Sequence, residues 1–120
     1  MSAEISREAA RRFVAGSPWK NTNTVVGTDT DGSIHLTLYG KPVARRHNGV
    51  VEFNNQGYLS KTTKDRLNAV GVHYGVSVQQ VSFTWYITTK EGREEMPANQ
   101  WVLVYGTPMA YLAKQLRETS

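Results

Sequence analysis

The segment SIHLTLY (33–39) constrains the fold more than any other part of the sequence. Its apolar residues Ile34, Leu36 and Leu38 alternate with polar ones, so in an extended chain they lie on one face. Such alternation is typical of a strand with one buried and one exposed face. The chain is therefore expected to build a sheet whose apolar side is covered by other elements.

Further strands are predicted where β-branched and aromatic residues lie between turn signals. The predicted strands are TNTVVGT (22–28), SIHLTLY (33–39), two arms around Asn48-Gly49, a long strand from Val76 to Thr89, and WVLVY (101–105). The Asn-Gly pair is the strongest hairpin signal in the chain. Pro42 cannot donate to a sheet ladder and therefore predicts a sheet edge or a turn. Residues 90–100 are expected to form a polar connection.

Two helices are predicted, one before these strands and one in the centre of the chain. Residues 3–15 carry apolar side chains at helical spacing, which indicates an amphipathic helix. Thr62, followed three residues later by Asp65, resembles a capping box, so a short central helix is expected over 63–70. Gly71 is then expected just past its end, in the left-handed conformation that closes many helices.

A third helix is predicted at the end of the chain, where Thr107 would cap it and Pro108 would occupy its first position. The length of 120 residues indicates a single domain, 1–120. The order of elements predicts an α+β fold. Its mainly antiparallel sheet of five to six strands would be covered on one face by an N-terminal, a short central and a C-terminal helix.

Composition excludes several classes of site. The chain has no cysteine, which removes disulfides and thiolate metal sites. No apolar run approaches the length of a membrane span, and the first residues are charged where a signal peptide is apolar, so a cytoplasmic location is expected. The three histidines lack zinc-ligand spacing, and no nucleophile motif or phosphate loop is present. We therefore expect no catalytic residue, no metal and no cofactor.

The charge is unevenly distributed. The formal net charge is +4, and residues 41–66 carry all of it, with six basic and two acidic residues. The rest of the chain is balanced. A local basic excess of this kind attracts phosphate groups.

Nucleic-acid binding is the chemistry that this basic segment favours. The candidate binding residues are Arg45, Arg46, Tyr58, Lys61, Thr62, Thr63 and Lys64. Lys61 and Lys64 bracket the start of the predicted central helix, where free N–H groups and the helix dipole favour an anion. The threonine hydroxyls could donate hydrogen bonds to phosphate oxygens. Arg45 and Arg46 precede the predicted hairpin turn, which could carry them to the same side.

The same residues also permit a purely structural interpretation. Tyr58, Tyr39 and Trp85 could stack on bases, but Trp85 alternates with apolar residues and is expected in the core. Thr62 and Asp65 would serve only as a helix cap, and the lysines would be solvated. Both interpretations stay open, as do the choice between DNA and RNA and the oligomeric state.

The twelve residues GYLSKTTKDRLN (57–68) resemble the longest motif of a family of small tailed-phage proteins, with Tyr58 where that motif usually has Trp. Three shorter segments, NTVV (23–26), LYGKPVA (38–44) and Trp85-Tyr86, are similar to further family patterns. The resemblance covers roughly residues 5–88. It implies a phage origin and a compact α+β fold, and it brings no established activity with it.

Two functions from different classes remain. The first is a small non-enzymatic phage accessory protein that binds the phosphate backbone of nucleic acid in the host cytoplasm. The alternative is a phage protein that binds and modulates a host protein, such as a defence or transcription factor. An enzyme ranks last, because it would need a pocket with convergent polar groups.

Overall fold

A computed structural model describes residues 2–106 of the chain. The elements are α1 Ser2–Ala15, β1 Trp19–Lys20, β2 Thr24–Thr28, β3 Ile34–Leu38, β4 Lys41–His47, β5 Val50–Phe53, α2 Lys61–Gly71, β6 Ser77–Val81, β7 Thr84–Thr89, β8 Gly92–Glu95 and β9 Val102–Tyr105. The predicted final helix, with Thr107 and Pro108 at its start, lies outside the described residues.

The nine strands form two antiparallel sheets. The larger sheet has six strands in the order β1-β2-β3-β4-β5-β9, and the smaller has three in the order β6-β7-β8. Helix α1 packs beside α2 and contacts β2 and β3, while α2 contacts β4 and β6. The α+β class with a mainly antiparallel sheet is confirmed, but the strands divide between two sheets.

Strand β3 lies in the middle of the larger sheet and follows the predicted alternation. Ile34, Leu36 and Leu38 are buried, while His35 and Thr37 are half-buried. The apolar layer that surrounds the buried face contains Ala9, Ala10, Phe13, Val26, Phe53, Leu67 and Val70. The two alanines on α1 are small, so this helix can lie close to the sheet.

Strand β4 lies inside the larger sheet, but Pro42 follows closely on the turn at 39–40 and has no paired strand on its β5 side, so the turn or local edge predicted from it is confirmed. The proline is tolerated because β5 pairs only with residues 44–47 of β4 and does not reach it. On the other side, the register shifts by a bulge between Leu36 and Thr37. The Pro42 carbonyl accepts a hydrogen bond from Gln56 Nε2 at 2.6 Å, so it is not left unpaired.

The predicted long strand over 76–89 is a hairpin of β6 and β7. Its two turn residues are Ser82, with φ 49°, and Phe83, with φ 70°. Phe83 is 90% exposed and does not share a face with Trp85, which is buried. The sequence contains no Gly, Asn or Pro at this turn, so no turn signal was visible. The polar connection expected over 90–100 contains β8.

Helix α2 starts two residues earlier than predicted. Ser60 is its N-cap, and its hydroxyl accepts a hydrogen bond from the Thr63 backbone N–H at 3.2 Å, so Thr62 is not the cap. Gly71 is the last helical residue and does not adopt a left-handed conformation. Glycine is required there for another reason: a Cβ would overlap the backbone carbonyl of Val76.

Candidate nucleic-acid interface

Several loops and the start of α2 meet at one end of the molecule. Asn68 of α2 exchanges two hydrogen bonds with the backbone of Val78 in β6, at 3.0 and 2.7 Å. One helical turn earlier, Lys64 Nζ donates to Gln80 Oε1 at 3.0 Å. The start of α2 and the β6–β7 turn therefore lie at the same end of the molecule. Strand β5 ends here too, because the loop after it leads into α2. Strand β3 runs parallel to β5, since both are antiparallel to β4, and therefore ends on the same side.

We call this surface the basic end and define it by six side chains. They are Tyr39, Lys41, Tyr58, Lys61, Lys64 and Phe83. The opposite end of the molecule contains the Asn48-Gly49 turn, the turn at 90–91 and the C-terminus of α1.

The lysines of the basic end remain accessible despite local contacts. The Lys61 side chain is 81% exposed, and its Nζ lies 2.9 Å from Asp65 Oδ2. Lys41 Nζ lies 5.4 Å from the ring centroid of Tyr58, and Lys64 Nζ lies 5.8 Å from that of Trp85. Exposed ion pairs and exposed cation–π contacts are each worth at most about 1 kcal/mol. A phosphate group can therefore compete for these ammonium groups.

Two tyrosines form an aromatic pair beside these lysines. Tyr39 and Tyr58 meet edge to face, with ring centroids 6.2 Å apart and planes at 88°. Tyr39 follows the end of β3 with φ 53° and is exposed. Trp85 is buried in the core, so of the three aromatics proposed for base stacking only the tyrosines are reachable.

The first turn of α2 holds two of the predicted hydroxyl donors in different environments. Thr63 is fully buried, and its hydroxyl lies 3.1 Å from Ser60 Oγ, so it is engaged in the cap. Thr62 is partly exposed. The first N–H groups of a helix have no intrahelical acceptor and carry the positive end of the dipole. The helix start therefore adds to the positive potential of Lys61 and Lys64.

Arg45 and Arg46 point to opposite faces of the sheet, so the expectation that the hairpin carries both of them to the side of the lysines is wrong. Adjacent residues of a strand alternate between faces. Arg46 lies on the helix side, where its Nε donates to the Phe13 carbonyl at 2.9 Å and its Nη2 to the Val14 carbonyl at 2.8 Å. It thus closes the C-terminus of α1, away from the basic end.

Arg45 lies on the other face of the sheet. Its Nε donates to Glu52 Oε1 at 2.8 Å, and its guanidinium lies 4.0 Å from the ring centroid of Trp101. Glu52 is buried, so this ion pair belongs to the structure of the sheet. Neither arginine joins the lysines of the basic end.

Arg66 lies inside the motif and has a structural role. It is buried, and it donates to Thr24 Oγ1 at 3.0 Å, Ser6 Oγ at 2.6 Å and Asn23 Oδ1 at 3.3 Å. Burial lowers the pKa of its guanidinium. These bonds tie α2 to α1 and to β2, which fixes the helix that carries Lys61 and Lys64.

The histidines that could serve catalysis lie in or beside the turn after β2. His35 Nδ1 lies 3.0 Å from Asp29 Oδ2, and His47 Nε2 lies 3.0 Å from the Asp31 carbonyl oxygen. The Ser33 hydroxyl donates to Asp31 Oδ1 at 2.7 Å, and its oxygen lies 3.2 Å from Asp29 Oδ2. The backbone N–H of Ser33, and then its hydroxyl, lower the pKa of Asp31. These are the contacts of a well-ordered polar turn.

Over 2–106, the structure has no group of three or more His, Asp or Glu side chains that could hold a metal ion. Neither of the two helices in this range is long and apolar enough to cross a membrane.

Comparison with known proteins gives one match. The model of a family described as Kyanoviridae Gp96 protein matches residues 2–107. This range contains the whole twelve-residue motif and every element of the described fold. No curated protein and no solved structure matches the chain.

Proposed function

The chain belongs to the Kyanoviridae Gp96 family, a phage protein family, and we propose that it is a non-enzymatic accessory protein that binds the phosphate backbone of nucleic acid in the host cytoplasm. The observation that carries this proposal is the presence of Lys41, Lys61 and Lys64 beside a tyrosine pair, with Tyr39 exposed and Tyr58 half-buried, near the start of α2. Lysines supply affinity for phosphate, and aromatic rings accept bases without regard to sequence.

The expected binding is weak to moderate and strongly dependent on salt. Each lysine that contacts a phosphate releases counterions from the nucleic acid, which lowers the logarithm of the binding constant as salt rises. Three such contacts predict a slope against log salt of about −2 to −3. The rigid attachment of α2 through Arg66 favours binding because the lysine-bearing helix does not have to be ordered first.

A charge reversal at the basic end, compared with one at the opposite end, tests the proposal. Lys61→Glu removes one exposed ammonium group beside the helix start, and Lys90→Glu removes one from the β7–β8 turn. We expect Lys61→Glu to weaken binding of labelled DNA and RNA in fluorescence anisotropy and to reduce the salt slope by about 1 or more. Lys90→Glu should change neither.

Two results would count against the proposal. One is that the unmodified protein fails to bind single- or double-stranded DNA or RNA at low salt. The other is that both reversals weaken binding equally, since the effect would then follow net charge and not the basic end.

Modulation of a host protein is the second candidate, and exposed apolar side chains favour it. Leu59 is half-exposed and Phe83 almost fully exposed at the same end. The cores of protein interfaces are rich in aromatic residues such as Phe83. Affinity recovery from infected cells, with and without nuclease, separates the two. Nuclease-sensitive recovery supports nucleic acid as the ligand, and a stoichiometric protein that withstands nuclease supports the host partner.

A further inference from the structure

The β6–β7 turn has a backbone conformation that its residues do not favour. Val81 pairs with Thr84, so Ser82 and Phe83 form a two-residue turn, and both have positive φ, at 49° and 70°. Turns of this type strongly prefer Asn-Gly, and a bulky residue with positive φ is an outlier. Two other two-residue hairpin turns in the described residues have positive φ at both positions: Tyr39-Gly40, at 53° and 80°, and Asn48-Gly49, at 52° and 80°. The turn at 48–49 has this geometry with residues that favour it.

Packing inside the protein does not compensate for this strain. Phe83 is 90% exposed, so its ring is left in water. Val81, two residues before it, is also exposed. A strained residue that gains nothing from the fold points to a role in contacting a ligand.

The surroundings of the turn indicate what kind of ligand this is. Lys64 Nζ contacts Gln80 and lies over Trp85, and these two residues form the second strand pair below the turn. Phe83 lies in the turn that this part of the hairpin leads into. The ring therefore projects from the same end of the molecule as the Lys64 ammonium group and the positive start of α2. An anionic polymer with flat apolar groups matches this combination of charge and ring.

We propose that Phe83 stacks on an unpaired base, and that the basic end therefore prefers single-stranded nucleic acid to duplex. This inference rests on the proposed function, in which Lys61 and Lys64 hold the phosphates. Bases in a duplex are already stacked and present only their edges in the grooves, whereas a single strand offers base faces to aromatic side chains. Tyr39 and Tyr58 supply further rings at the same end.

The test compares a labelled oligothymidylate with a duplex of equal length in fluorescence anisotropy at fixed low salt. The unmodified protein should bind the single strand more tightly. Phe83→Ala should weaken binding to the single strand by about 5- to 150-fold, the range for loss of one base–aromatic stack, and should leave duplex binding nearly unchanged. Phe83→Tyr should restore the preference because it keeps a ring. Phe83→Leu should not, because it keeps only apolar volume.

A matched control is Val72→Ala, which removes an exposed apolar side chain from the far end of α2 and should have no effect. Equal binding of single strand and duplex, with Phe83→Ala neutral, overturns the inference and leaves the proposed function standing. Absence of binding to either probe overturns the proposed function itself. If Phe83→Leu binds the single strand as tightly as Phe83→Tyr, the weaker binding of Phe83→Ala is not due to lost stacking, and this result also overturns the inference.

Discussion

Two hairpin turns of this protein, at 48–49 and 82–83, allow backbone strain to be measured within one molecule. Replacing Ser82-Phe83 by Asn-Gly gives the β6–β7 turn the same residues as the turn at 48–49. A left-handed conformation costs an L-residue about 1–2 kcal/mol, which glycine avoids. Glycine loses about 0.5–1 kcal/mol more backbone entropy on folding. Because Phe83 is 90% exposed, removing it forfeits only a few tenths of a kcal/mol of burial.

The net result should be a gain in the free energy of unfolding of about 0.5–1 kcal/mol. For a domain of this size, such a gain raises Tm by roughly 2–5 °C. Calorimetry and urea unfolding both measure it, and the urea m-value should stay constant because the surface exposed on unfolding hardly changes. The more stable variant should also bind oligothymidylate less tightly, since it has lost the ring.

The reverse exchange is the control. Asn48-Gly49→Ser-Phe places the strained pair in a turn where a Cβ at position 49 meets no atom within 4 Å. Any loss of stability there reports the backbone conformation and not a clash. We expect a loss similar in size to the gain at 82–83. If the first exchange lowers Tm, or if the reverse exchange is neutral, the turn at 82–83 is not strained. Backbone strain then no longer indicates that Phe83 contacts a ligand.

Two further predictions concern parts of the fold away from that turn. Gly71→Ala should destabilise the protein by about 2 kcal/mol or more in urea unfolding, because its methyl group would overlap a backbone carbonyl, whereas Gly27→Ala, in open space, should stay within about 0.5 kcal/mol. Asp31 has a lowered pKa through hydrogen bonds from Ser33, so its contribution to stability is fully present above its usual pKa near 4 and is lost as the pH falls through the lower folded value. Asp31→Asn should therefore flatten the acid end of the stability profile, and NMR titration of the carboxyl should give the lowered pKa directly; an ordinary pKa there would contradict the hydrogen-bond assignment.

The parts of the fold that the sequence predicts are those with strong local signals. The alternation of 33–39, the Asn48-Gly49 turn and the helix over 3–15 all appear close to their predicted positions. The β6–β7 hairpin could not be predicted, because its turn, Ser82-Phe83, contains neither the Asn or Asp nor the Gly that mark a two-residue hairpin turn. Its register depends on pairing between the two strands and on contact with α2, which no local pattern reveals.

The candidate site was predicted only where its residues are neighbours in the chain. Lys61 and Lys64 lie together at the helix start, as expected, but Lys41 and Phe83 join them only through folding. For the arginines a signal was present: adjacent residues of a strand face opposite ways, which separates Arg45 from Arg46. Arg66 lies four residues before Val70 on α2, so the two side chains share the helix face that is buried.

Asn68 has a consequence for how this protein behaves at high concentration. Its amide donates to the Val78 carbonyl and accepts from the Val78 N–H, so it occupies the outer edge of β6 as a neighbouring strand would. The other outer strand of the small sheet, β8, is fully exposed and carries Arg93, Glu94 and Glu95. Unprotected strand edges recruit strands from other molecules and start aggregation. Here one edge is closed by hydrogen bonding and the other by charge, so this sheet resists growth into an intermolecular one from either side.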